Sequence, residues 1–290
     1  MILVTGATGT IGSELSKLLS SKGIKFRAYV RSVKKAEALK LVNMEIFNGD
    51  LSDKVALKKG MRGMSRVFLL SSADPRQVEY QRNVIEAAKA EGVKLIVKLS
   101  AYGAAAKSPR SLARWHWETE EELRKSGVPY AILRPTMFMQ NLLMSAESVK
   151  KEGVIRSPIG EAKASFIDAR DIAKCAATIL TGRGFEGKVY ELTGPRAITY
   201  RDIAKELTKV GGHEVKVVNV SLEDARRSVI GMGVPEWLAN DITKLNEIFA
   251  AGQASFVTTS VRDVTGVTAR GVETFVEDYA EAFFGAPVHH

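Results

Sequence analysis

The first chemistry in the chain lies in TGATGTIG, where Gly6, Gly9 and Gly12 stand between the apolar run Ile2 to Val4 and a stretch whose Ile11, Leu15, Leu18 and Leu19 repeat at helical spacing. Strand, glycine loop and helix in that order make a phosphate-binding turn. Gly6 suits the turn off the strand, Gly9 the close approach of backbone to a pyrophosphate, and Gly12 the packing of helix on sheet. Thr8, Thr10 and Ile11 complete the loop, and the first amides of the helix are free to meet an anion. The bland alternative is a glycine-rich turn that binds nothing; the elements on either side argue against it.

The second strand separates the two nicotinamide cofactors. An NAD site carries an Asp or Glu about 20 residues beyond the glycines. FRAYVRS ends instead on Arg31, with Lys34 and Lys35 following. A guanidinium there pairs with a 2′-phosphate that a carboxylate would repel, so NADP(H) is the expected cofactor. Lys35 either assists or, like Lys34, solvates a helix end. In NGDLSD, Asp50 and Leu51 pass the adenine edge; Asp50 accepts from the exocyclic amine, or Asp50 or Ser52 only caps the next helix. Ser71 and Ser72 close the fourth strand and line the groove at the carboxyl edge of the sheet.

Two groups qualify for catalysis. His116 and Glu120 are four apart on a helix and share a face with Leu112 and Leu123. Either His116 is a proton donor or nicotinamide neighbour whose tautomer Glu120 fixes, or the two are a helix-packing pair. Tyr102, in LSAYGA after the fifth strand, either touches substrate or packs at the sheet edge. An HxxxE pair with no nearby Cys or third His does not complete a metal shell, and no metal is expected. Met137, Phe138, Asn141 and Trp237 suit a flat aromatic acceptor, although core packing accounts equally for such residues.

The elements that must position these residues alternate. Strands are expected at Ile2 to Val4, Phe26 to Val30, Glu45 to Phe47, Val67 to Leu70, Leu95 to Leu99 and Tyr130 to Leu133, with helices between them, one ending at Gly23 and one opened by Pro75. That is a doubly wound α/β sheet. Beyond Pro135 the pattern gives a helix near Met137 to Lys150, an irregular stretch through Ser157 and Gly160, a helix from Asp171 to Leu180 and a strand from Val189 to Leu192. After Pro195 helices dominate, Thr199 and Asp202 forming a capping box, with one strand at Val215 to Val218.

Taken together, TGATGTIG, YVRS, GDL, HWETEEELRKSGVPYAILRP, FIDARDIA and ELTGP resemble the atypical short-chain dehydrogenases, in particular the NmrA-like branch. The pattern is similar to that of its type 2 quinone oxidoreductases and triphenylmethane dye reductases. The resemblance covers nearly the whole chain. It implies a Rossmann domain, residues 1–136 and 163–194, and a smaller, mainly helical substrate lobe, residues 137–162 and 195–288. It also implies cofactor roles for Gly6, Gly9, Thr10, Ile11, Gly12, Arg31, Lys35, Asp50 and Leu51, and for Ser71, Pro135, Thr136 and Phe138 along the ribose and nicotinamide. One departure from the wider superfamily matters: where a YxxxK pair would stand, the chain has Leu112 and His116. Leu112 transfers no proton, which disfavours alcohol oxidation and sugar epimerisation.

Composition sets the outer limits. Among 290 residues, 45% hydrophobic and 26% charged, lies a single cysteine, Cys175, so no internal disulfide forms and a cytoplasmic location is expected. Cys175 sits on an apolar helical stripe and faces the core. No run of 18 apolar residues suggests a membrane span, and no export leader is recognisable. His289 and His290 look like a tag remnant. The net charge of +9 is concentrated in residues 1–70, with 13 Lys or Arg against 5 Asp or Glu. That basic half faces the expected 2′-phosphate, so neither nucleic acid nor membrane is called for. The expected activity is NADPH-dependent reduction of a quinone or similar aromatic by a monomer or homodimer. The alternatives are a non-catalytic NADP(H)-binding sensor and a nucleotide-sugar epimerase or dehydratase.

Overall fold

The computed structural model describes residues 1–285, so His289 and His290 lie outside the described residues. In chain order the elements are β1 (Ile2–Thr5), α1 (Thr10–Ser21), β2 (Phe26–Val30), α2 (Val33–Glu37), β3 (Met44–Asn48), α3 (Lys54–Met61), β4 (Arg66–Leu69), α4 (Gln77–Ala90), β5 (Leu95–Leu99), α5 (Ser111–Ser126) and β6 (Tyr130–Pro135). A 3-10 turn, Met139–Ser145, leads into α6 (Ala146–Glu152), β7 (Val154–Ser157), α7 (Ala169–Thr181), β8 (Lys188–Leu192), α8 (Tyr200–Gly211) and β9 (Lys216–Asn219). Then come α9 (Leu222–Gly231), α10 (Glu236–Ala250), α11 (Ser260–Thr265), α12 (Val272–Asp278) and α13 (Ala280–Phe284).

The chain divides into two units. The first, Met1–Pro135, Ala169–Glu191 and Asp263–Gly266, holds the doubly wound sheet. Seven strands run in the order β3-β2-β1-β4-β5-β6-β8, and β1 to β6 pair in parallel. Strand order reverses between β1 and β4, which marks the carboxyl edge there as the ligand-binding crevice of such sheets. α1 packs on α7 over one face; α3, α4 and α5 pack side by side over the other. On that second face Leu3, Val67, Leu69 and Ile96 meet Leu57, Val84, Ile85 and Leu123 in one cluster. These strands are apolar on both faces because helices cover both. Cys175 is fully buried in α7, and burial, with Asp171 nearby, pushes its thiol up to about 12, which leaves it unreactive.

The second unit comprises Thr136–Asp168, Leu192–Arg262 and the chain from Val267 onward. Two expectations are corrected in it. The irregular stretch starts later than expected: Ser157 closes a strand, Val154–Ser157, paired in parallel with β9 with Val154 opposite Lys216, while Pro158 and Gly160 follow in a bend and turn. The helix expected from Met137 begins as a 3-10 turn and becomes α-helical only at Ala146. Thr199 and Asp202 form the expected capping box on α8. No helix among the described residues is long and apolar enough to cross a membrane.

Candidate active site and cofactor loop

The glycine loop is fixed from beneath by Thr5. Its buried hydroxyl accepts from the Leu70 amide at 2.9 Å and donates to the Leu70 carbonyl at 2.7 Å, tying β1 to the end of β4. Gly6 turns the chain with φ +65°, against the Leu70 side chain. A Cβ on Gly12 would fall 2.0 Å from the Gly6 carbonyl oxygen, so that glycine is demanded by the fold itself. Gly9 differs. Its φ is −88°, and a Cβ there would meet nothing nearer than 3.4 Å, so no protein atom requires glycine at this exposed position. Behind it α1 begins at Thr10 with no side-chain cap, leaving its first amides for an anion.

Arg31 is exposed at the end of β2, and among the described residues its guanidinium makes no hydrogen bond. Asp50 accepts from the Ser52 amide at 2.8 Å and hydroxyl at 2.6 Å; these bonds, with the charges of Arg31 and Arg76, hold its carboxyl below the usual range. Asp50 and Ser52 do not cap α3, because Asp53 does, accepting from Val55 and Ala56. Leu51 packs against the core while its carbonyl accepts from Asn83. Ser71, at the end of β4, accepts from Gln81 Nε2 at 2.9 Å. The Oε1 of that buried Gln81 has no hydrogen-bond partner among the described residues. Lys35 lies exposed in α2, and its amide donates to Ser32, which caps the helix.

His116 and Glu120 both lie in a polar network that β5, β6 and α5 enclose, but they do not bond each other. Glu120 is fully buried and its carboxylate is saturated: Ser100 Oγ donates at 2.5 Å, Arg134 at 2.9 and 2.6 Å, and Arg124 at 3.0 Å. Burial pushes this carboxyl up, yet the bonds from Arg134 and Ser100 and the Arg134 charge outweigh it and hold it low. The groups that meet His116 Nδ1 are Lys98 Nζ at 3.1 Å and Gln77 Nε2 at 3.3 Å. The tautomer is therefore set by Lys98 and Gln77, not by Glu120. Burial, then the charges of Lys98, Arg110 and Arg134, keep the imidazole neutral, well below its ordinary value.

Residues 1–277 match the NmrA-like family. The chain belongs to that family. It is 38% identical to the NAD(P)H azoreductase of Xenophilus azovorans over 99% of its own length and all of that enzyme's. The NADPH-dependent quinone oxidoreductase of Escherichia coli, solved with NADPH, superposes with TM-score 0.86 at 33% identity, covering 97% of this chain and 100% of the other. The triphenylmethane reductase of Citrobacter sp., complexed with NADP(H), gives TM-score 0.82 at 29% identity over 94% and 98%.

The remaining expected site residues of this NmrA-like protein fall as follows. Tyr102 is partly buried; its amide donates to Pro135 and its carbonyl accepts from Arg110, and burial, with Glu191 nearby, raises its phenol so that it keeps its proton. Ser72 is exposed, and Thr8 is partly buried in the loop. In the second unit the buried Thr136 is held by its amide to the Leu192 carbonyl at 3.0 Å and by its hydroxyl to the Ser165 carbonyl. Met137 and Phe138 are partly buried in the segment that bridges to Ile167, and Asn141 is exposed. Trp237 is partly buried in the first turn of α10. Sequence reasoning missed Lys98, Gln77, Gln81 and Arg134. A lysine inside LIVKL and an arginine inside AILRP were the available signals, since a charge in a doubly covered strand requires a buried partner.

The two inner glycines separate experimentally. Gly9→Ala is expected to leave the unfolding midpoint unchanged while weakening NADPH by about 1 to 3 kcal/mol, the usual range for inserting a methyl where atoms must fit closely. Gly12→Ala should lower both stability and binding, because its Cβ cannot avoid the Gly6 carbonyl. Thermal melts and NADPH titrations of the two variants check this.

Proposed function

We propose that this protein is an NADPH-dependent reductase that delivers hydride to a quinone or a similarly flat, conjugated aromatic acceptor. The observation that carries the reading is the cofactor loop: a glycine at position 9 that no protein atom demands, beside an exposed Arg31 guanidinium with no hydrogen bond among the described residues. Full-length likeness to azo, quinone and dye reductases supports the acceptor class.

NADPH, when bound, supplies the hydride; the chain supplies placement. The amides of Thr10, Ile11 and Gly12 would hold the pyrophosphate, the Gly9 amide being spent on the Gly6 carbonyl at 3.0 Å, Arg31 and Lys35 would hold the 2′-phosphate, and Asp50 and Leu51 the adenine. Ser71, Ser72, Pro135, Thr136 and Phe138 follow the ribose and nicotinamide. Met137, Phe138, Asn141 and Trp237 offer apolar and amide surface to the acceptor. Such acceptors are already electrophilic, so orientation contributes most of the rate and a YxxxK pair is dispensable. Leu112, partly buried in α5, is consistent with that chemistry.

Steady-state NADPH oxidation by purified protein with naphthoquinone, benzoquinone and triphenylmethane dyes tests the proposal. Turnover with at least one acceptor is expected. No oxidation above background with any of them, together with similar affinities for NADP and NADPH, would replace it with a non-catalytic sensor.

A further inference from the structure

Lys98 is fully buried in a strand that is otherwise leucine, isoleucine and valine. Strand periodicity puts it on the face of Ile96 and Ser100, toward α4 and α5. Burial brings its ammonium down to about 7; Glu120 opposes that shift, and Arg134 and Arg124 add to it. Its Nζ donates to the Leu99 carbonyl at 3.2 Å and lies 3.1 Å from His116 Nδ1. An ammonium has no lone pair, so Nδ1 accepts and the ring proton sits on Nε2. Among the described residues Nε2 has no hydrogen-bond partner, and the ring is only partly buried.

We propose that Lys98 is the proton source for quinone reduction and acts through His116, whose Nε2–H hands the proton to the reduced acceptor. This rests on the reductase reading. A quinone that has taken a hydride, two electrons and one proton, is a hydroquinone monoanion. Its oxygen takes the Nε2 proton, Nδ1 takes one from the Lys98 ammonium, and Lys98 is left as a neutral amine. After product leaves, water returns the proton by the same two nitrogens in reverse. The other groups facing the pair are Gln77 from α4, Glu120 and Arg124 from α5, Arg134 from β6 and Arg110 from the loop before α5. Glu120 is low and fully engaged, and the arginines keep their protons. Lys98 is the member of this cluster able to release a proton near neutrality. His116 is thus the group that touches substrate, and Lys98 a positioning and proton-loading residue behind it.

A cationic triphenylmethane dye supplies the control, because hydride at its central carbon already gives the neutral product and no proton is consumed. The experiment measures kcat for naphthoquinone and for such a dye across about pH 5.5 to 9, the span in which a general acid near neutrality titrates. In the wild-type protein quinone kcat should fall as pH rises through about 7, while dye kcat should not. Lys98→Met and His116→Gln should both lose that limb, and Lys98→Met should lower the quinone-to-dye ratio by about a hundredfold at low pH. Lys98→Met removes a buried charge while Glu120 keeps Arg134 and Arg124; His116→Gln, a change at a partly exposed ring, carries the same test if the first variant fails to bind NADPH. In cofactor-free protein, ¹⁵N shifts should place the wild-type proton on Nε2. The His116 titration should move up in Lys98→Met, with burial and the charges of Arg110 and Arg134 still holding it below its ordinary value. Equal loss of both acceptors in Lys98→Met, a limb that survives in both variants, or an unmoved His116 titration would overturn the relay while leaving the reductase intact. A wild-type protein that reduces neither acceptor would end both.

Discussion

Arg134→Met is expected to lower folding stability by about 3 to 5 kcal/mol, the usual result of removing one partner from a buried ion pair. Two of its nitrogens bond Glu120, whose carboxylate has no exposure, and a third reaches Glu191 at 3.2 Å. Without it Glu120 keeps Ser100 and Arg124, the latter partly exposed, and one carboxylate oxygen loses its shortest bond. Glu120→Gln should cost less, because the amide oxygen still accepts from Ser100 and Arg134 still pairs with Glu191. The pH dependence has a fixed sign. The Glu120 carboxyl is held below its ordinary value in the folded chain, so its contribution is complete above the ordinary carboxylate range and is lost as pH falls through the lowered value. Urea unfolding at neutral pH and below about pH 4 should therefore show a smaller acid loss for Glu120→Gln than for wild type. Identical acid losses would mean that Glu120 does not anchor the network.

Arg31→Ala should weaken NADPH by about 1.5 to 3 kcal/mol, roughly tenfold to over a hundredfold, and leave NADH almost unchanged. The reasoning is local. Arg31 is exposed, engages no hydrogen bond among the described residues, and acts on Asp50 only through its charge. Nothing in the fold depends on it, so a loss confined to the phosphorylated cofactor isolates the 2′-phosphate contact. Equal weakening of both cofactors would show that Arg31 does not read the phosphate. Fluorescence titrations of both cofactors against wild type and variant decide it.

The glycine loop and the sheet were legible in the sequence because both rest on short-range rules. Strand, loop and helix follow within the first 21 residues, and the apolar runs of a covered parallel sheet are hard to mistake. That Arg31 follows the second strand was legible too, because the end of that strand is a fixed distance from the loop. The Lys98–His116 contact was not: the two residues are 18 apart, and only the pairing of β5 with α5 over one sheet face brings them to 3.1 Å. Helical spacing instead suggested His116 with Glu120, which are four apart but turn to different partners. Capping of α3 went to Asp53 rather than Asp50 or Ser52 because all three are good caps and only backbone geometry chooses among them. The strand at Val154 escaped notice because its partner, β9, lies some 60 residues further on, and a lone four-residue run has no signature of its own.

Direct hydride delivery is most sharply tested by following deuterium from [4-²H]NADPH into a cationic triphenylmethane dye. The central carbon of the leuco product does not exchange with water, so its mass records the origin of the hydrogen. One of the two C4-labelled cofactor epimers should give product one mass unit heavier in ordinary water, with the other giving none. Leuco dye that carries no deuterium from either epimer, or NADPH that is not consumed at all, would contradict a reductase that passes hydride from cofactor to acceptor.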